Sequence, residues 1–160
     1  MMPGELEQPG EIRDRRRIRQ ICSFRGFRFG TISPTDLDAL IEFRRLAYVF
    51  FEFKYGAIPI GRGQMLALTE LADDVTRAGK EAIVIVAEHD IADPAADIIA
   101  AETIVREVYY RGDWFALEGG RGQWTAYQVA DLFLRCVMVA RDRGGLAETI
   151  IRRDLLEQEA

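Results

Sequence analysis

Asp36 and Asp38 stand two residues apart, and a little further on Glu52 and Lys54 stand two residues apart. In an extended strand, residues at that interval share a face. The segments 37–43 and 47–55 are rich in β-favouring residues, and only Arg44-Arg45-Leu46 joins them. A hairpin turning about Arg45 brings Asp38 opposite Glu52 and Asp36 opposite Lys54, all on one face. Like charges directly opposed on a sheet repel. Two carboxylates so placed need a cation, a shared proton or open water. Mg²⁺ suits the first solution, because it binds through one or two carboxylates together with water and phosphate oxygens. A lysine beside them could orient or deprotonate an attacking water, or steady the charge of a transition state. The chemistry such a set would do is phosphodiester hydrolysis. A slip of one residue would send the two acid pairs to opposite faces, so the register is the point on which this reading turns.

Lysine usage supports an assigned role for Lys54. The chain has 19 Arg and only two Lys, Lys54 and Lys80. Arg and Lys are not interchangeable where a compact ammonium must approach one atom. A chain that prefers Arg elsewhere keeps Lys inside a hydrophobic strand.

The elements that must hold these residues follow from pattern. Residues 1–10, with two Pro and two Gly, read as a flexible lead-in. An amphipathic helix is expected at 11–23 and a strand at 24–32, where aromatic residues alternate with Arg and Gly. After the hairpin, 56–63 is a loop and 64–78 has helical spacing that stops at Gly79. The continuous apolar run 82–87 is a buried strand. Strand, helix and buried strand make a βαβ crossover, so 47–55 and 82–87 should be parallel. A strand at 103–110, a further extended segment at 114–117, a glycine-rich turn and helices at about 125–141 and 146–158 complete the chain. The expected fold is α/β: residues 11–160 form a single domain with a central mixed β-sheet, antiparallel hairpin plus βαβ crossover, flanked by helices.

The order of these motifs resembles the core of the PD-(D/E)XK nuclease superfamily. The carrying residues are Thr35-Asp36-Leu37-Asp38-Ala39-Leu40-Ile41-Glu42 and Val49-Phe50-Phe51-Glu52-Phe53-Lys54. In that superfamily an acidic residue opens one strand and Glu-x-Lys lies near the end of its antiparallel neighbour. The run Gly61-Arg62-Gly63-Gln64 is similar to members with a Gln at the start of the next helix, among them archaeal Holliday junction resolvases and virus-type replication-repair nucleases. The resemblance spans about residues 11–90 and implies a restriction-endonuclease-like fold. It further implies Asp38 and Glu52 as ligands of Mg²⁺ or Mn²⁺, with the Phe53 backbone carbonyl as a third, Lys54 as catalytic, and Gln64 as a supporting polar residue. The sequence departs from the pattern in having no Pro directly before the acid. Either Asp36 or Asp38 could be the ligand; register and spacing to Glu52 favour Asp38. By the same analogy the substrate is DNA, including branched or Holliday junction DNA, and the chain is a homodimer.

Other signals are weaker. Seven Arg against two acids fall within 11–30, a basic stretch on a chain of net charge −5. Arg13, Arg15, Arg16, Arg17 and Arg19 are candidates for nucleic-acid contact, or a solvated helix face. They motivate an alternative reading, a non-catalytic nucleic-acid-binding or assembly module on the same fold. Gly56-x4-Gly61-Arg62-Gly63 lacks the Gly-Lys-Ser/Thr ending of a nucleotide-binding P-loop. Glu88 follows the buried strand and is an accessory candidate. His89 is the sole histidine, which leaves a Ser-His-Asp triad with no other base. Cys22 and Cys136 make neither a disulfide framework nor a CxxC site. No apolar run is long enough to span a bilayer, and a cytoplasmic location is expected.

Overall fold

The computed structural model describes residues 23–24, 26–117 and 122–157. The chain divides into two compact units, residues 1–34 and 35–160. In the first, Phe29 and Ile32 exchange backbone hydrogen bonds of 2.9 and 3.1 Å. The strand expected at 24–32 is therefore reduced to a single bridge within a turn. The reason is local: Gly26 and Gly30 adopt positive φ (93° and 67°), which breaks an extended run. The lead-in 1–10, nearly all of the helix expected at 11–23, and Arg13, Arg15, Arg16, Arg17 and Arg19 lie outside the described residues.

The second unit is an α/β arrangement with a five-stranded mixed sheet in the order β1 (Ala39–Phe43), β2 (Ala47–Tyr55), β3 (Glu81–His89), β4 (Ile104–Tyr110) and β5 (Asp113–Ala116). β2 and β3 are parallel, as a crossover through a helix requires; the other pairs are antiparallel. The helices are α1 (Arg62–Arg77), α2 (Ala126–Arg143) and α3 (Ala147–Ile151), the last running into a π turn over Arg152–Leu156.

The two-residue period of the strands sorts side chains onto two faces. On one face Val49, Phe51, Ile83, Ile85, Val105, Val108 and Tyr110 pack with Val129, Phe133 and Val137 of α2 and Ile151 of α3. On the other, Phe50, Val84 and Tyr109 pack with Leu68 and Ala72 of α1. The helices start and stop on recognisable signals. Thr125 and Gln128 form a reciprocal capping box at α2, and Gly144 ends it at φ 69°. α1 begins at Gly61 with no side-chain cap.

The β1–β2 hairpin closes through a Phe43–Leu46 turn, with Leu46 N–H donating to the Phe43 carbonyl at 2.8 Å. Arg44 and Arg45 both take positive φ (51° and 61°). Ala39 lies opposite Phe51 and Phe43 opposite Ala47, which is the register of a hairpin turning about Arg45. The first strand is shorter than expected. It begins at Ala39, so Asp36, Leu37 and Asp38 precede the ladder.

Candidate functional site

Glu52 and Lys54 lie near the end of β2, on the face covered by α1. Glu52 is 2% exposed, and its register partner on β3 is the fully buried Val86. One carboxylate oxygen, Oε1, accepts from the Lys54 ammonium at 2.5 Å. The other, Oε2, is buried with no hydrogen-bond partner among the described residues. An unpaired buried carboxylate oxygen is costly. Burial pushes the Glu52 carboxyl above its usual range. The Lys54 hydrogen bond and charge pull it down, while the nearby charges of Asp38 and Asp36 push it up.

Asp38 reaches the site from the loop end rather than from within the ladder. Its Oδ2 accepts from the Phe53 backbone N–H at 2.7 Å. In a strand the N–H and C=O of one residue point to the same side. The Phe53 carbonyl therefore faces the same edge of β2 as Asp38, while its side chain stacks on Phe51 on the opposite face of the sheet. Asp38, one residue before the β1–β2 ladder, thus meets β2 through its side chain at Phe53 rather than through a ladder pair with Glu52.

Gln64 lies in the first turn of α1. Its Oε1 accepts from Lys54 Nζ at 3.0 Å, and its Nε2 donates to Asp36 Oδ1 at 3.4 Å. Asp36 is an acceptor only, so it orients the Gln64 amide with the oxygen toward the ammonium. The result is a chain Glu52–Lys54–Gln64–Asp36, with Asp38 beside it. Asp36 and Asp38 therefore differ in their contacts: Asp36 holds Gln64, and Asp38 holds the β2 backbone.

Glu88 is the register partner of Lys54 on β3 and ion-pairs with Arg106 at 3.6 Å. Arg106 was not singled out from the sequence. The signal was present in Val105-Arg106-Glu107-Val108, where buried apolar residues three apart break the two-residue period. His89 ends β3 on the other face, against Tyr55 at 5.7 Å, and its Nδ1 is buried with no partner among the described residues. Trp114 packs on Tyr109, at 5.4 Å between rings, and Trp124 against the α2 core.

Among the described residues no group of three or more His, Cys, Asp or Glu side chains is arranged to hold a metal ion. Two carboxylates and a backbone carbonyl are a different set, and Mg²⁺ needs only one or two carboxylates beside water and phosphate oxygens. The unpartnered Glu52 Oε2, with Asp38 close by, fits a cation. Compared with family models, with curated proteins and with solved structures, the chain matches none. No helix among the described residues is long and apolar enough to cross a membrane.

Proposed function

We propose that this protein is a metal-dependent nuclease that hydrolyses phosphodiester bonds of DNA at Asp38, Glu52 and Lys54. The observation that carries the reading is the buried, unpartnered Glu52 Oε2 in a carboxylate whose other oxygen is fixed by an ammonium group. Glu52, Asp38 and the Phe53 carbonyl would hold Mg²⁺ or Mn²⁺. When bound, the ion would offset the carboxylate charge and stabilise negative charge developing on the phosphate. Lys54 has three N–H donors. Two are directed to Glu52 and Gln64, and the third can go to a phosphate oxygen. Gln64 keeps the ammonium at the carboxylates rather than extended into solvent. Glu88, paired with Arg106, borders the site beside Lys54.

The test is cleavage of a linear duplex and of a four-way junction in Mg²⁺ or Mn²⁺ by the wild type, Glu52→Ala and Lys54→Ala. Loss of a positioned charge-stabilising group lowers turnover by about a hundredfold or more, so both variants should fall by that order. Cleavage by either variant at the wild-type rate would reject the site. The resemblance to resolvases further implies a preference for the junction and a homodimer, which sedimentation of the intact chain would reveal.

A further inference from the structure

β3 and β4 pair in one register from Val84 opposite Tyr109 to Val86 opposite Glu107, then shift, so that Ala87 lies opposite Val105. The residue left over is Arg106. The shift has a consequence for both faces. Unbroken alternation back from Tyr110 would turn Arg106 into the α2 core and Val105 away from it. With the extra residue, Val105 returns to that core, where it is 1% exposed. Arg106 is delivered instead to the face of Glu52, alongside Glu107. Bulges re-aim side chains in this way.

The Arg106 side chain, 16% exposed, has one hydrogen-bond acceptor there and two carboxylates at ion-pair distance. Nη1 donates to the Ile58 carbonyl at 3.2 Å and lies 3.6 Å from Glu88; Nη2 lies 3.7 Å from Glu107. Ile58 belongs to the loop 56–61 that leaves β2 just after Lys54 and enters α1 just before Gln64. The loop's entry to the helix has no side-chain cap. The guanidinium of Arg106 ties its middle to the sheet, and the Gly56 N–H ties its start to the His89 carbonyl at 2.8 Å. A planar guanidinium can donate to a carbonyl while its charge faces two carboxylates, which an ammonium on a flexible stem cannot do with the same geometry.

We propose that Arg106 is a positioning residue for this site: by fixing the loop through Ile58 it sets Gln64, and through Gln64 the Lys54 ammonium. Its catalytic consequence rests on the nuclease reading above; its structural consequence does not. Two measurements separate them. The first is kcat and KM for DNA cleavage in Mg²⁺ by Arg106→Ala and Arg106→Lys. Misplacement of a reacting group through a remote contact costs on the order of ten- to a hundredfold. That loss is expected in kcat for Arg106→Ala, with KM within about twofold and part of kcat regained in Arg106→Lys. The second is the Gln64 side-chain amide resonance of the metal-free protein, assigned against Gln64→Glu, which should move in Arg106→Ala and move back toward the wild type in Arg106→Lys. If Arg106→Ala fails to fold, Arg106→Gln takes its place, keeping an N–H donor without the charge. A wild-type kcat, or an unmoved Gln64 signal, overturns the proposal. If the wild type cuts no DNA, the nuclease reading falls, and the Gln64 signal alone decides the role of Arg106.

Discussion

Glu52 is the residue at which burial and charge are least reconciled, and this makes its protonation a stability determinant. Its carboxyl is raised above the ordinary range chiefly by burial. A raised acid binds its proton more tightly in the folded chain than in the unfolded one. The folded state is therefore favoured while Glu52 is protonated, and stability is lost as pH rises from the unfolded value of 4.5 through the folded one. Glu52→Gln removes that loss. The variant should melt above the wild type at neutral pH, and the difference should shrink as pH falls toward 4.5. Saturating Mg²⁺ should narrow the gap from the other side, by raising the wild-type melting temperature and leaving Glu52→Gln unmoved. At about a hundred times its Kd, a ligand adds about 2.7 kcal/mol. Differential scanning fluorimetry across pH and Mg²⁺ measures both. A Glu52→Gln variant that melts below the wild type at pH 7 would mean that its charge is well paired and needs no ion. The acids and the lysine were legible at this scale because their identities and two-residue spacing are written in the chain. The difference between Asp36 and Asp38 was not, because it lies in which neighbour each carboxylate finds, Gln64 Nε2 or Phe53 N–H.

The elements show where pattern suffices and where it fails. The hairpin register rested on placing the turn at Arg45 in a short connection; β2 is buried on both faces, so its own pattern does not exclude a slip of one residue. The length of β1 did not follow: Leu37 and Asp38 have strand-compatible spacing, yet the ladder begins at Ala39. The run at 24–32 also alternates, but two glycines with positive φ turn it. The bulge at Arg106 shows in the chain only as a break in alternation, with Val105 and Val108 three apart. The hairpin turn itself carries a testable strain. Arg44 and Arg45 occupy left-handed backbone conformations that Asn and Gly adopt more easily. The Glu42 carboxylate accepts from the Arg45 N–H and so supports the turn without relieving the φ. Arg44→Asn combined with Arg45→Gly should stabilise the protein by about 1 kcal/mol, read from urea unfolding. Arg45 and Glu52 are separated by about 23 Å of extended chain at ~3.3 Å per residue, so DNA cleavage should not change. A destabilised double variant would show that the arginine side chains hold the turn.

In the unit formed by residues 35–160, the two faces of one sheet carry different work. The α2 face is broad and apolar, with Phe133 and Val129 fully buried. The α1 face is narrower, and the same helix that closes it brings in Gln64. Gln64, Leu68 and Ala72 are spaced four apart, so they lie one above another on the side of α1 turned to the sheet. Leu68, 3% exposed, is the apolar anchor one turn from Gln64. Truncation of either core should destabilise, but only one should disturb the site. Leu68→Ala should cost about 2–5 kcal/mol and Phe133→Leu about 1–3 kcal/mol. Under conditions where both variants are folded by circular dichroism, Phe133→Leu should cleave DNA at the wild-type rate per folded molecule. Leu68→Ala should cleave several-fold more slowly, because α1 then has one anchor fewer to hold Gln64 against Lys54. Equal losses in the two variants would mean that activity follows global stability rather than the seating of α1, and the division of labour between the faces would have to be given up.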